Sequence, residues 1–558
     1  MTTAGPSPNH SQPQAGVSRV AAEPSNRARF PEGASVSQGH GRTGAGPHFP
    51  VVAATSVAAS RTWALDFLPV KWGWSSCVMA ATPEALECVL GRDRHHFDWV
   101  AASPIERAWR GGAGSSIADD DPIPVGWAAS LRCREFLTPS RHAQGLIDAF
   151  EATRRLLVVW DERPERADPV NDLIRLALEL VARIVLGASV ETDVEGIELF
   201  ARSAALVRAW FDAEPVRLDT INPGARSQAV VGRSTRSERS PSSWGRLLPA
   251  GAASVILPRA WRIRKAAQEW RSAVDGEIDR RSRATSTPRD DLLSHLLGWG
   301  FDFGRGAFQD SHQTRTFEMG SLFGFEGPCP WSRPDGSVRK DPLGPEAARE
   351  RCLAVLLDGV SQIVGATLAA WGHLAFAPEL ESHLIAEAVE SSADQPDGFP
   401  EPGGPWSAAI VHEARRLHPA RVLVARRVIG GPLPQAQGAG LADGATVLIC
   451  PWLTHRDPRW FADPEGFVPE RWLIGLETPE QAPSSAPPSS THPLPVLTPE
   501  VLGEPTLGDE FLADVASLVL MVLAPRFRLA PESLEPDAPW RVQPRAERHE
   551  PWGRQDRG

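Results

Sequence analysis

Tyrosine is absent from all 558 residues, so no step in this protein can use a phenol as acid, base or radical. Lysine occurs only as Lys71, Lys265 and Lys340, and asparagine is scarce, whereas arginine, alanine, proline and glycine abound, as a GC-rich coding bias produces. The net charge of -11 is spread rather than blocked, which argues against a nucleic-acid surface. Cys77, Cys88, Cys133, Cys329, Cys352 and Cys450 form no C-x-x-C pair and have neither disulfide nor zinc spacing. Reduced, mostly buried thiols are therefore expected, which fits a cytoplasmic location. No run approaches the roughly eighteen apolar residues of a membrane span, and the first residues lack a basic-then-apolar signal pattern, so no membrane anchor is expected. The length allows several domains or one large helical domain.

The most specific stretch present is Val411 to Pro419, followed by His455-Arg456-Asp457-Pro458 and by Phe467-Val468-Pro469-Glu470-Arg471-Trp472. Ala409, Ile410 and Leu417 recur at helical spacing, which places Glu413 and Arg416 on one helix face. A carboxylate and a guanidinium so placed pair as a bidentate fork, and Arg471 can complete a triad. An isolated E-x-x-R is most often a solvated surface pair. Buried, the same triad is a geometric clamp rather than a source of stability.

Taken in order, E-x-x-R-L-H-P, H-R-D-P and F-x-P-E-R-W resemble the K helix and meander of the cytochrome P-450 superfamily. The resemblance implies a mainly α fold with small β-sheets, a cytochrome P-450-like fold in a single large domain spanning 59–533. Composition makes 1–58 a Ser/Pro/Gly-rich disordered tail, 299–343 and 474–505 loop-like insertions, and 534–558 a second disordered tail. Several Trp residues, such as Trp72 in Lys-Trp-Gly, stand where the family has Tyr. Asp66 to Gly73 resembles its first helix and turn, Leu173 to Gly187 its E helix, and 213–258 spans the lid loop over its substrate channel. Thr82-Pro83-Glu84 reads as a helix start, and Trp261 to Ser282 as a long charged helix.

The family's chemistry lies in two places. Glu346 to Phe376 matches the I helix, where A-G-x-[DE]-T delivers protons to bound dioxygen; here Asp358-Gly359-Val360-Ser361-Gln362 aligns, with Ser361 at the acid and Gln362 at the Thr. Asp358, one turn earlier, is an alternative acid, although a place on the helix surface is expected for it. The second is the loop F-x-x-G-x-R-x-C-x-G, whose Cys thiolate binds iron and pushes electron density towards O–O cleavage. Counting back from Gly508 puts Thr506 at the Cys, Glu504 at the propionate-binding Arg and Pro499 at the aromatic. A Thr hydroxyl supplies no thiolate, and a Glu repels a propionate.

For the family's haem b, the resemblance implies propionate contacts from Arg132, Arg134 and Arg426, with Arg427 beside it. Two residues are of a type that could replace the metal ligand. His492 is of a chemically sound type but lies beside the Pro/Ser-rich run Pro483 to Ser490, and Cys450 lies in the strand before His455, where an inert thiol is expected. A misread gene segment between 473 and 507 would also erase the loop. The reading favoured is a soluble, bacterial-type P-450-like pseudoenzyme of secondary metabolism, a non-catalytic scaffold or activating partner of a biosynthetic-pathway enzyme. Proteins of this family lacking the Cys activate glycosyltransferases in actinobacterial pathways. The alternatives are a haem-dependent monooxygenase or other haem oxidoreductase with an atypical ligand, and a haem-free protein that binds a small apolar ligand.

Overall fold

The computed structural model describes residues 67–72, 75–93, 96–100, scattered positions from 106 to 136, and 137–187, 194–213, 258–283, 289–299, 343–393, 399, 403–430, 441–473 except 459, 496–531 and 540–545. Arg132, Arg134, Cys329 and His492 lie outside them, as do residues 1–58, the lid segment 214–257, and most of both insertions.

The chain enters through β1 (Phe67–Trp72) and β2 (Ser75–Ala80), an antiparallel pair with Phe67 opposite Ala80. This corrects the helix expected after Asp66: Pro69 has no N–H for a helix interior, whereas β1 is an edge strand that tolerates it. Next comes α1 (Pro83–Glu87), whose start is fixed by Pro83 and by the Thr82 hydroxyl accepting the Ala85 N–H at 3.2 Å. A wider turn over Cys88–Arg92 leads to β3 (Phe97–Val100).

The helical part follows as α2 (Pro139–Glu162), α3 (Pro169–Leu186), α4 (Val194–Ala213), α5 (Pro258–Arg283), α6 (Leu292–Leu296), α7 (Pro345–Leu374), α8 (Pro378–Ala393) and α9 (Pro405–Leu417). The strands β4 (Val424–Val428) and β5 (Thr446–Ile449) complete a sheet of order β1-β2-β5-β4-β3, and α10 (Pro451–Thr454) and a 3-10 turn (Pro469–Trp472) follow. Last come α11 (Asp509–Leu523), β6 (Phe527–Pro531) and β7 (Trp540–Pro544).

The stop of α3 is written in Gly187, whose φ of 62° is left-handed and whose absent Cβ would meet Asp291 Oδ2 at 2.8 Å. The 30 residues of α7 run about 45 Å through the core, and from Arg351 to Leu374 nearly every residue is buried. It is long and apolar enough to cross a membrane, contrary to the expectation that no run approached that length, but 89% of its most apolar stretch is buried inside the protein. A helix apolar all round is here a core helix, covered by α3, α9 and α11.

The tail expected from 534 onward is also corrected. Trp540–Pro544 pairs antiparallel with β6, Leu529 faces Val542, and Val542 is buried. The alternation Trp540, Val542 is a short half-buried strand signal, and the lone edge of β6 gives it a partner.

Candidate functional site

Glu413 and Arg416 lie one turn apart on α9, both with fully buried side chains. Arg416 Nε and Nη2 donate to the two Glu413 oxygens at 2.9 and 2.8 Å. Its remaining donors reach the carbonyls of His455 and Pro464, both at 2.7 Å, and of Gly466 at 2.9 Å. All five guanidinium N–H groups are thereby used. Glu413 also accepts from Arg471 Nε at 3.2 Å, Val468 N at 2.9 Å and Trp472 Nε1 at 2.9 Å. The three residues of the sequence triad thus meet, in a network that ties α9 to the segment 455–472.

His455 extends this tie to the loop before α11. Its Nδ1 donates to Arg416 O at 3.0 Å, and its Nε2 accepts the Leu497 N–H at 2.7 Å. Those partners require the neutral ring, and burial pushes its pKa down to about 3. The segment 496–508 is held in place at this point.

Around Thr506 the central helix touches that loop directly. Gln362 on α7 donates through Nε2 to Asp358 Oδ2 at 2.6 Å and to Thr506 Oγ1 at 3.3 Å, and it accepts from Arg415 Nη2 at 3.0 Å. Arg415, on α9, also binds Asp509 Oδ1 at 3.1 Å and the Asp509 carbonyl at 3.2 Å. Asp509 in turn accepts from the Thr498 hydroxyl, and its N–H donates to Glu500 Oε2 at 2.9 Å. Burial raises its carboxyl to about 6, against the opposing pull of Arg415.

Asp358 is not on the helix surface as expected; it is 2% exposed, with Arg421 Nη2 3.6 Å from its Oδ1. A helix buried all round has no solvent face to offer it. Burial raises its pKa, while Arg421 and the hydrogen bonds from Gln362 and Thr506 pull the other way. Ser361, at the family's acid position, accepts the Trp210 indole N–H at 3.0 Å.

Glu504 and Arg426 form a second buried pair, 3.4 Å apart, with side chains 1% and 5% exposed. Arg426 on β4 stands opposite Trp99 on β3 in the antiparallel register, and the Trp99 indole donates to Glu504 Oε1 at 2.6 Å. Arg426 also donates to the carbonyls of Leu502 and Ala425. Arg427, the next residue, is exposed.

These residues do not fit a haem. A flat macrocycle between α7 and the loop needs a carbon contact on each face, a separation of about 7 Å. Here Gln362 and Thr506 are hydrogen-bonded at 3.3 Å, and a Cβ on Gly359 would lie 3.9 Å from Leu507 Cδ1. At the implied iron ligand stands a hydroxyl, and beside the implied propionate Arg426 already has a carboxylate partner. Cys450 is buried at the N-terminal cap of α10, its thiol pushed up to about 12 by desolvation. Groups of three or more His, Cys, Asp or Glu arranged to hold a metal are absent among the described residues.

Arg415, Arg421, Trp99, His455 and Asp509 were not singled out as site residues from the sequence. Their one available signal was position: Arg415 adjoins Arg416, His455 opens H-R-D-P, and Asp509 begins α11 after Gly508, whose φ of 103° only glycine adopts readily.

Residues 404–486 match the cytochrome P450 family. Cyclooctatin synthase of Streptomyces melanosporofaciens is 28% identical over 190 residues, which cover 34% of this chain and 39% of that protein. Flavonoid 3'-monooxygenase of Petunia hybrida is 40% identical over 72 residues, 13% of this chain and 14% of that one. The chain thus spans well under half the length of these curated relatives. Among solved structures, a zebra fish cytochrome P450 with abiraterone superposes with a TM-score of 0.54 at 16% identity, over 88% of this chain and 99% of that one. The haem domain of cytochrome P450DA gives 0.55 at 15% identity, over 90% and 94%. At such identities the superpositions speak for the fold alone.

Proposed function

We propose that this chain, whose residues 404–486 match the cytochrome P450 family, is a non-catalytic member of that superfamily, a scaffold or activating partner for an enzyme of a biosynthetic pathway. The observation that carries the reading is the 3.3 Å hydrogen bond from Gln362 to Thr506. It joins the two positions between which the family's chemistry takes place, and neither residue is of the type that chemistry needs. A Thr hydroxyl does not replace a thiolate, and a carboxamide does not replace the acid and hydroxyl that hand protons to dioxygen. Fold resemblance alone assigns no activity, so the residues at the site decide the reading.

The test has two arms. The purified chain is supplied with haemin, reduced and exposed to carbon monoxide; no haem-thiolate band is expected, and its appearance would return the protein to the monooxygenases. In the second arm, a glycosyltransferase or other pathway enzyme that co-purifies with the chain from its native host is assayed with and without it. A several-fold rise in the enzyme's rate is expected; an unchanged rate sinks the activating role.

A further inference from the structure

We propose that Glu504 is a built-in counterion that takes, against Arg426, the place of a haem carboxylate, and that with the bridge from Gln362 to Thr506 it makes this fold complete without a prosthetic group. The proposal rests on the non-catalytic reading only for its location; the charge argument is its own.

Arg426 and Trp99 are register partners on neighbouring strands, so their side chains leave the sheet on one face. Both reach the same carboxylate. Glu504 takes the Trp99 N–H at 2.6 Å and lies 3.4 Å from Arg426 Nη2. A guanidinium this deeply buried must have a compensating anion, and the loop supplies it from within the chain. In a haem protein the same Arg would be satisfied only after the cofactor arrived, and a glutamate at this point would repel the incoming propionate. Here the arginine is neutralised on folding.

The second half of the device is closure. Gln362 makes hydrogen bonds to residues of three segments, Asp358 on its own helix, Thr506 on the loop and Arg415 on α9. Arg415 carries the connection to Asp509 at the start of α11. The two surfaces that a macrocycle would hold apart are thereby joined by hydrogen-bonded polar groups.

The experiment compares thermal unfolding of the wild-type chain, Glu504→Gln, Arg426→Gln and the double variant, each with and without haemin. Each single variant leaves one buried charge alone and is expected to lower the melting temperature by roughly 5 °C. The double variant removes both charges and is expected to lose less than the sum of the two. Haemin is expected to leave the wild-type transition where it was. Additive losses, or a haemin-induced rise for the wild type, overturn the proposal. Should the single variants fail to fold, soluble yield carries the same contrast: recovery in the double variant supports the pairing, and no recovery overturns it. Additivity without a haem-thiolate band removes the counterion and leaves the non-catalytic reading standing, so the two failures can be told apart.

Discussion

Gln362 and Thr506, 144 residues apart in sequence, share a hydrogen bond of 3.3 Å in the core. One belongs to the central helix and the other to the loop before α11, and both are buried. On the non-catalytic reading proposed above, the bond crosses the place a haem would occupy, and changing Thr506 alone does not restore one. Thr506→Cys is expected to give a buried, protonated thiol, as at Cys450, and no carbon-monoxide band after reduction with haemin. A haem-thiolate spectrum from this single variant would show that the contact yields readily.

Gln362→Ala removes the group that Asp358, Thr506 and Arg415 share. Leaving buried polar atoms without partners costs about 1–3 kcal/mol, and the vacated volume adds to it. The expected result is a denaturation midpoint lowered accordingly in urea; an unchanged midpoint would mean that water replaces the carboxamide at no cost.

Arg416 is expected to tolerate no substitution. Lysine has three donors on a point charge and cannot reproduce five in a planar fork. Both Arg416→Ala and Arg416→Lys leave Glu413 buried without its main partner, at a cost of about 3–5 kcal/mol. Soluble expression should be lost for Arg416→Ala and sharply reduced for Arg416→Lys. Arg471, which is 15% exposed and gives Glu413 one bond, should cost less, about 1–2 kcal/mol on change to Ala. Equal losses at 416 and 471 would contradict this ranking.

The two buried histidines should contribute a loss of stability below about pH 6.5. His455 is pushed down to about 3 and His412 to about 4, each by burial, with Arg415 adding to the effect at both. Their ordinary value is 6.5, so between 6.5 and 4 the unfolded chain binds two protons that the folded chain refuses, and stability falls as pH falls. Asp509, raised to about 6 from 3.8, has the opposite sign: the folded chain takes that proton first, so its contribution weakens stability as pH rises through the same window. Asp358 and Asp291, raised by burial as well, share the sign of Asp509, so the histidine contribution is isolated by comparison rather than read from the wild type alone. Urea midpoints measured from pH 7 to pH 4.5 for the wild type and His412→Gln check it: the variant should lose less stability on acidification, and parallel profiles refute the histidine assignment.

The sequence carried the helices well where a start or stop is local. Thr82-Pro83, Asp168-Pro169 and Gly187 fix ends by capping and left-handed backbone, and these are short-range effects. The E-x-x-R turn likewise placed Glu413 and Arg416 side by side. Two local readings failed. Asp66 to Gly73 resembled a helix and turn, yet Phe67–Trp72 pairs as an edge strand, and Trp540–Pro544 lies inside the stretch 534–558 expected to be a tail. In both cases the partner strand, invisible to local pattern, decided the outcome.

By itself the sequence determined which groups stand at the chemically decisive positions: hydroxyl rather than thiol at 506, carboxylate rather than guanidinium at 504, carboxamide at 362. It also fixed the order of segments from which the fold was expected. Only the tertiary structure decided what those groups do. Asp358 became a core residue because α7 is covered on every side, and Glu504 became a counterion because strand register puts Trp99 beside Arg426. The physical reason is range. Backbone capping acts within a turn of chain, whereas the energy of a buried charge depends on which partner the fold brings within a few ångströms, and those partners here come from 78 residues away for Arg426 and 405 for Trp99.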